Sequence, residues 1–403
     1  MSYNLSSFFN DLSNGLFINL SLDLAVNGRI VSQLQSELQN YSNGNAINDK
    51  SLESLVESQS FQFYKSGKSE WTRFNIMVVS FLRYCRDVNP WSLSESYDLI
   101  FQFYSDLNNC LLNDNYPIDP LVPIYQAATE YIIPVASKLD DHYMVLHTRK
   151  HQFLSHCSSI ISKLFNSIKP SRSIDGETIM SEPSFDQLPG KQKILLYLVN
   201  KLNNIYFKIG SPQLCSNIFK NFKPKSMVTI FSEFPVKEQV EYRYLLGRYY
   251  ILNNKIVDAF IQLNNAFLML SSVADVLNIK IENSSPLKRN INRILKYLVP
   301  VGLMMNKLPK FWIVSKIDVN LANKYKELSD CVRTGNIKGL NGWLKLYEAE
   351  LRKDHLLLIL IEKLPMLTYR YLIRKVVLEY TMPLSGFKVP VFSIRIGIKI
   401  IYR

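Results

Sequence analysis

Leu246-Gly247-Arg248-Tyr249-Tyr250, followed after eight intervening residues by Ala259-Phe260-Ile261-Gln262-Leu263-Asn264-Asn265-Ala266, decides the fold class. Gly247, Ala259 and Ala266 are small where two helices of a pair must approach, and Leu246, Tyr250 and Leu263 are large where the gap between them must be filled. This is the register of a degenerate tetratricopeptide repeat. Forty-four residues earlier, Leu202-Asn203-x-x-Tyr206 and Cys215-x-x-x-Phe219 occupy the same slots. Two matches in one register predict stacked helix pairs, an all-α helical-repeat solenoid. Such an array buries apolar surface against its neighbours in sequence and leaves long faces open to partners.

Outward from this core the spacing stays helical. In Trp71–Arg86 the apolar Phe74, Met77, Val78, Phe81 and Leu82 recur at i, i+3, i+4, i+7 and i+8. Asp98–Leu112 repeats the pattern, and Asn113-Asp114 with Pro117 closes it. A single helix is expected over Leu139–Ile168, stopping before Pro170. Ser171–Gly190, rich in Ser, Asp, Pro and Gly, reads as a linker. The expected organisation is therefore an N-terminal helical region (1–170), a linker (171–190), helical repeats (191–380) and an atypical basic tail (381–403). In the tail Ile394, Ile396, Ile398 and Ile400 alternate with Arg395, Gly397 and Lys399, a strand-like period of two.

Composition narrows the function. Of 403 residues 47% are apolar and 20% charged, enough for a core and against wholesale disorder. The five cysteines are widely separated and form no CxxC, which removes a disulfide framework and a cysteine zinc site. Met1–Phe17 lacks the basic and apolar blocks of a signal peptide. The apolar run Leu356–Ile361 falls far short of the ~20 residues of a membrane span. A soluble protein of a reducing compartment is expected.

The charge is uneven. Lys plus Arg is 47 against 34 Asp plus Glu, a net +13. Residues 1–120 carry 7 basic and 13 acidic side chains, net −6, so residues 121–403 carry 40 and 21, net +19. The later part is suited to a polyanion. Between Glu282 and Asp318 there are seven basic residues and no acid. On a helix from Lys288 to Val299, Arg289, Arg293 and Lys296 fall within roughly 60° of one another. Ile291, Ile294, Leu295 and Leu298 take a separate arc of about 100°. Such a stripe either faces solvent or neutralises phosphates without reading bases. Between Asp186 and Glu233 seven further basic residues are interleaved with Tyr206, Phe207, Phe219 and Phe222. These aromatics serve as core at helical spacing, or as stacking surfaces for unpaired bases. Arg370 and Arg374, one turn apart, are weaker phosphate candidates.

No enzymatic constellation emerges. His142, His147, His151 and His156 crowd within fifteen residues, but on one continuous helix they split between opposite sides and cannot close a tetrahedral zinc site. Gly67-Lys68-Ser69 imitates the end of a phosphate-binding loop, yet the required first glycine is Gln62. No GxSxG or GxGxxG occurs. No catalytic residue, cofactor or metal is assigned.

Several strings resemble the PCI family of scaffold subunits. They include Tyr244-Leu-Leu-Gly-Arg-Tyr-Tyr250, Tyr297-Leu-Val-Pro300, Val332-Arg-Thr-Gly-Asn336 and Leu356-Leu-Leu-Ile-Leu-Ile-Glu-Lys-Leu-Pro365. Within that family Asn27-Gly28-Arg29, Arg86-Asp-Val-Asn-Pro-Trp91, Leu146-His-Thr-Arg149 and His151-Gln-Phe-Leu-Ser-His156 are similar to the fungal PCI subunits of the TREX-two nuclear mRNA-export complex. So are Leu164-Phe-Asn-Ser-Ile-Lys-Pro170 and Leu195-Leu-Tyr-Leu-Val-Asn-Lys-Leu-Asn-Asn-Ile-Tyr206. The resemblance implies a non-catalytic scaffold in the nucleus, at the nuclear face of the pore. Its implied partners are a large export-complex scaffold subunit, a small acidic, disordered proteasome-lid-type protein, and RNA or DNA. A PCI scaffold of the signalosome or proteasome lid is the alternative. The resemblance also implies a terminal winged helix after Tyr380. Here Thr381–Arg403 stands in its place as a truncation, a frame change or a divergent form, and Leu372, Val376 and Val377 are expected to lack cover.

Overall fold

A computed structural model describes residues 3–41, 45–59, 61, 72–112, 118–145, 151–168, 185–188, 190–222, 231–276 and 285–380. Among them no strand occurs. The basic tail 381–403, with its alternating isoleucines, lies outside the described residues, as do Gly67-Lys68-Ser69, His147 and most of the expected linker. The contacts divide the chain into two compact units, Met1–Phe234 and Pro235–Arg403. The helices between Gly190 and Phe222, expected with the later repeats, fall in the first unit.

The first unit holds α1 (Leu5–Ser13), α2 (Leu24–Gln39), α3 (Asp49–Glu57), α4 (Arg73–Asp87), α5 (Leu93–Leu111), α6 (Ile118–Val145), α7 (Gln152–Ile168), α8 (Gly190–Lys193), α9 (Leu195–Lys208) and α10 (Cys215–Phe222). Helix α4 is its centre: Phe74, Met77, Val78, Phe81 and Leu82 are all fully buried, the five positions that the periodicity selects. It packs against α2, α3 and α5, and the chain then stacks onward through α6, α7, α9 and α10. Polar side chains start the helices, Asn4, Asp23, Asn48 and Thr72 each accepting a backbone N–H of the first turn.

One expectation is corrected here. Leu139–Ile168 is not one helix: α6 ends at Val145 and α7 begins at Gln152. Between them His151 takes a left-handed φ of 49°, a conformation that no continuing helix contains. The start of α7 is held from α6, because the buried Asp140 carboxylate accepts the N–H groups of Phe153 (3.1 Å) and Leu154 (2.9 Å). The histidine positions computed on a single helix therefore do not apply. His142 lies on α6 edge-on to Tyr143, and His156 lies on α7 against Phe101.

The second unit holds α11 (Val236–Leu252), α12 (Ile256–Val276), α13 (Ser285–Met304), α14 (Phe311–Ile317), α15 (Val319–Arg333), α16 (Ile337–Leu346), α17 (Glu348–Lys353) and α18 (Leu357–Tyr380). The closest pair is α11 with α12, the pair that the repeat register marks. Gly247, Ala259, Leu263 and Ala266 are buried in it, and α13 stacks on α12. Helix α12 has the length and apolar content of a membrane span, but Ala259, Phe260, Leu263, Ala266 and Phe267 are spent on the core of this unit. Helix α18 spans the unit, touching α13, α15, α16 and α17. Gly335, after α15, adopts φ 72°, and a Cβ there would fall 2.8 Å from the Cα of Leu372 on α18. Leu372 is thus half-buried, whereas Val376 and Val377 stay 46% and 41% exposed.

Candidate nucleic-acid interface

Helix α13 runs from Ser285 through Pro300 to Met304, one turn beyond what a proline stop allows. Its apolar arc is the one expected: Ile291, Ile294, Leu295 and Leu298 are buried, while Arg289 and Arg293 are exposed on the opposite side. Neither arginine forms an ion pair among the described residues. Lys296, the third member of the stripe, differs. Its ammonium sits 2.8 Å from the Asp354 carboxylate, which is largely buried at the end of α17. A cation already matched by a buried carboxylate has less to offer a phosphate.

The structure adds a residue that the sequence reading passed over. Arg248 of α11 lies over two rings, 5.6 Å from the Tyr244 centroid and 5.2 Å from that of Tyr297. Tyr244 and Tyr297 meet nearly edge to face, so α11 and α13 share an aromatic seam with a guanidinium on it. Burial pushes the Tyr244 phenol upward, and Arg248, Arg293 and Lys296 pull it back. All three cations therefore act on one spot, and the stripe of α13 continues onto α11. The signal was present: Tyr244 and Arg248 are spaced i, i+4 inside the quoted family string.

Arg370 and Arg374 are exposed on α18 and belong elsewhere. Their neighbour Tyr371 donates to Asn306, just beyond the end of α13. Arg289 stands near the start of α13, about 25 Å away along the helix axis at 1.5 Å per residue. The five predicted residues thus form two groups. Arg374 of the second group lines an open groove with Arg333 and Lys375, but Asp330 shares the lining.

The other basic stretch resolves toward packing. Phe219 and Phe222 are buried, and Tyr206 and Phe207 are half-buried. Among the described residues no three His, Cys, Asp or Glu side chains gather in metal-binding geometry. All five cysteines are free thiols.

The chain is 47% identical over 387 residues, 96% of its length, to the nuclear mRNA export protein THP1 of Saccharomyces cerevisiae, and covers 79% of that protein. The chain belongs to the THP1 family of nuclear mRNA export proteins. Fainter similarity extends from this chain to PCI domain-containing proteins and to a plant protein. Over 200 residues, 49% of the chain, it is 30% identical to the PCI domain-containing protein 2 homolog of Dictyostelium discoideum, covering 42% of it. Over 182 residues, 45% of the chain, it is 29% identical to the enhanced ethylene response protein 5 of Arabidopsis thaliana, covering 40% of it. No family model matches the chain. The all-helical build of the chain agrees with a helical-repeat solenoid of PCI type.

Proposed function

We propose that this chain is a non-catalytic scaffold subunit of a nuclear mRNA-export complex that couples transcription to export and contributes to RNA or DNA binding. The observation that carries the reading is the 47% identity to an mRNA export protein over almost the whole chain. The structure supports it physically. Stacked helix pairs offer docking faces, and Arg289, Arg293 and Arg248 make a cationic strip that neutralises phosphates without base contacts. The assigned partners are a large scaffold subunit of the export complex and a small acidic, disordered protein of the proteasome-lid type. The net +19 of residues 121–403 favours an acidic partner. The assigned place is the nuclear face of the pore. Arg370 and Arg374 are secondary phosphate contacts.

Depleting the protein in its own cells tests this function. Polyadenylated RNA visualised in situ should accumulate in the nucleus. An unchanged cytoplasmic distribution, with the protein fully depleted, would overturn the export reading.

A further inference from the structure

Trp312 is 62% exposed on the short helix α14, whose Val314 and Ile317 face the core. Tryptophan is large and apolar, and one standing out from a well-packed unit marks a contact site when its surroundings share one chemistry. Here they do. Lys316, one turn on, places its ammonium 5.8 Å from the indole centroid, and Lys310 precedes the helix. The junction of α14 and α15 is also tied to the basic stripe. Asn292 donates to the Asp318 carboxylate at 2.9 Å, and Asn292 stands beside the stripe, about 60° round α13 from Arg289 and next to Arg293 in the chain. Asp318, the acid at this junction, is engaged twice, since it also caps the N–H of Leu321 at 3.0 Å. The turn of α13 that carries Arg289 and Arg293 is thus bonded, through Asn292, to the segment that carries Lys316 and Trp312.

We propose that this junction is a binding site for single-stranded RNA, in which an unpaired base stacks on the Trp312 indole while Arg289 and Arg293 take the phosphates of the same strand. The inference rests on the nucleic-acid reading above and adds to it a stacking residue and a preference for unpaired strands. A duplex gives its base faces to its own stack, so an exposed indole beside cations selects unpaired nucleotides. An acidic peptide would match the arginines but leave the indole without a ring to stack on. The other strongly exposed tryptophan, Trp91, is 95% exposed, and its backbone N–H donates to Asn89, whose amide donates to the Glu95 carboxylate. With a carboxylate tied to its turn, Trp91 is the internal control.

The test uses the full chain with labelled oligouridine and an RNA duplex, read by fluorescence anisotropy across a salt series. Trp312→Ala should weaken oligouridine binding at least about fivefold, with an unchanged salt slope and unchanged duplex binding, because a stacking loss leaves the phosphate contacts in place. Trp312→Phe should restore most of the affinity, and Trp91→Ala should leave it unaltered. The combined Arg289→Glu and Arg293→Glu variant should lower affinity and salt slope for both RNAs. If Trp312→Ala binds oligouridine as tightly as the parent while the arginine variant loses affinity, the stacking site is wrong and the phosphate interface survives. Equal losses from Trp91→Ala and Trp312→Ala, or displacement of oligouridine by polyglutamate at matching concentration, would also overturn the site. If the parent binds neither RNA, the nucleic-acid reading falls with it.

Discussion

Gly247 of α11 lies so close to Leu263 of α12 that a Cβ on the glycine would fall 2.6 Å from Leu263 Cγ and 2.9 Å from its Cδ2. Leu263 is fully buried and has no room to turn away. Gly247→Val should therefore force the helix pair apart. The expected loss is about 1–3 kcal/mol, the cost of an overpacked core, and it exceeds what valine regains in chain entropy. Urea unfolding measures it. The same substitution combined with Leu263→Ala should cost less than the sum of the two single changes, because the cavity of one accepts the bulk of the other.

The second close approach is stricter. Gly335 combines φ 72° with a Cβ position 2.8 Å from the backbone of Leu372, so backbone, not a side-chain tip, must move. Gly335→Ala should destabilise by about 2–4 kcal/mol, strain and displacement together. The docking of α18 should loosen first. Hydrogen exchange should show faster amide exchange in residues 357–375 than in α4.

Stability and binding should separate along the α13 stripe. Asp354→Ala strands no buried cation, since the Lys296 side chain is 40% exposed, and should cost about 1 kcal/mol or less. It also frees Lys296, so RNA affinity should hold or rise slightly. Arg289→Glu, in contrast, should leave the melting temperature within a degree or two and reduce the salt slope by about one unit. Anisotropy titrations at several salt concentrations, beside thermal melts, check both.

The thiols give a pH-dependent prediction. Cys85, Cys110, Cys157 and Cys215 are buried, and burial pushes the Cys157 thiol up to about 12. Cys331 is only half-buried; desolvation, then Glu327 and Asp330, raise its pKa as well. A raised thiol pKa means less thiolate at neutral pH and a rate that keeps climbing where an ordinary cysteine levels off. Native alkylation should label Cys331 alone, more slowly than free cysteine at pH 7.5, with the gap closing as pH rises. Mass mapping that found Cys157 or Cys85 labelled in the folded chain would contradict this packing.

Legibility in the sequence followed the range of the interactions. The α11–α12 pair was readable because close helix approach demands small residues at fixed spacing, and Gly247 with Ala259 met the demand. The two faces of α13 were readable because a 3.6-residue period separates Arg289 and Arg293 from Ile291 and Leu295. The break between α6 and α7 was not, since the apolar spacing runs on through it. The break depends on Asp140 reaching across to the N–H groups of Phe153 and Leu154, a contact between two helices that no window along the chain contains. The pairing of Lys296 with Asp354 was hidden for the same reason, being 58 residues apart. Arg248 is the instructive omission: its i, i+4 relation to Tyr244 was on the page, but its second ring, Tyr297, comes from another helix.

The central claim is that this chain works by docking, inside an export assembly that holds RNA. Affinity purification of the tagged full chain from nuclei, with mass spectrometry and an RNA assay on the same eluate, tests it most directly. The account predicts stoichiometric recovery of a large scaffold subunit and a small acidic subunit of the mRNA-export machinery, together with polyadenylated RNA. Recovery of deneddylase or proteasome-lid subunits in their place, free of RNA, would contradict it.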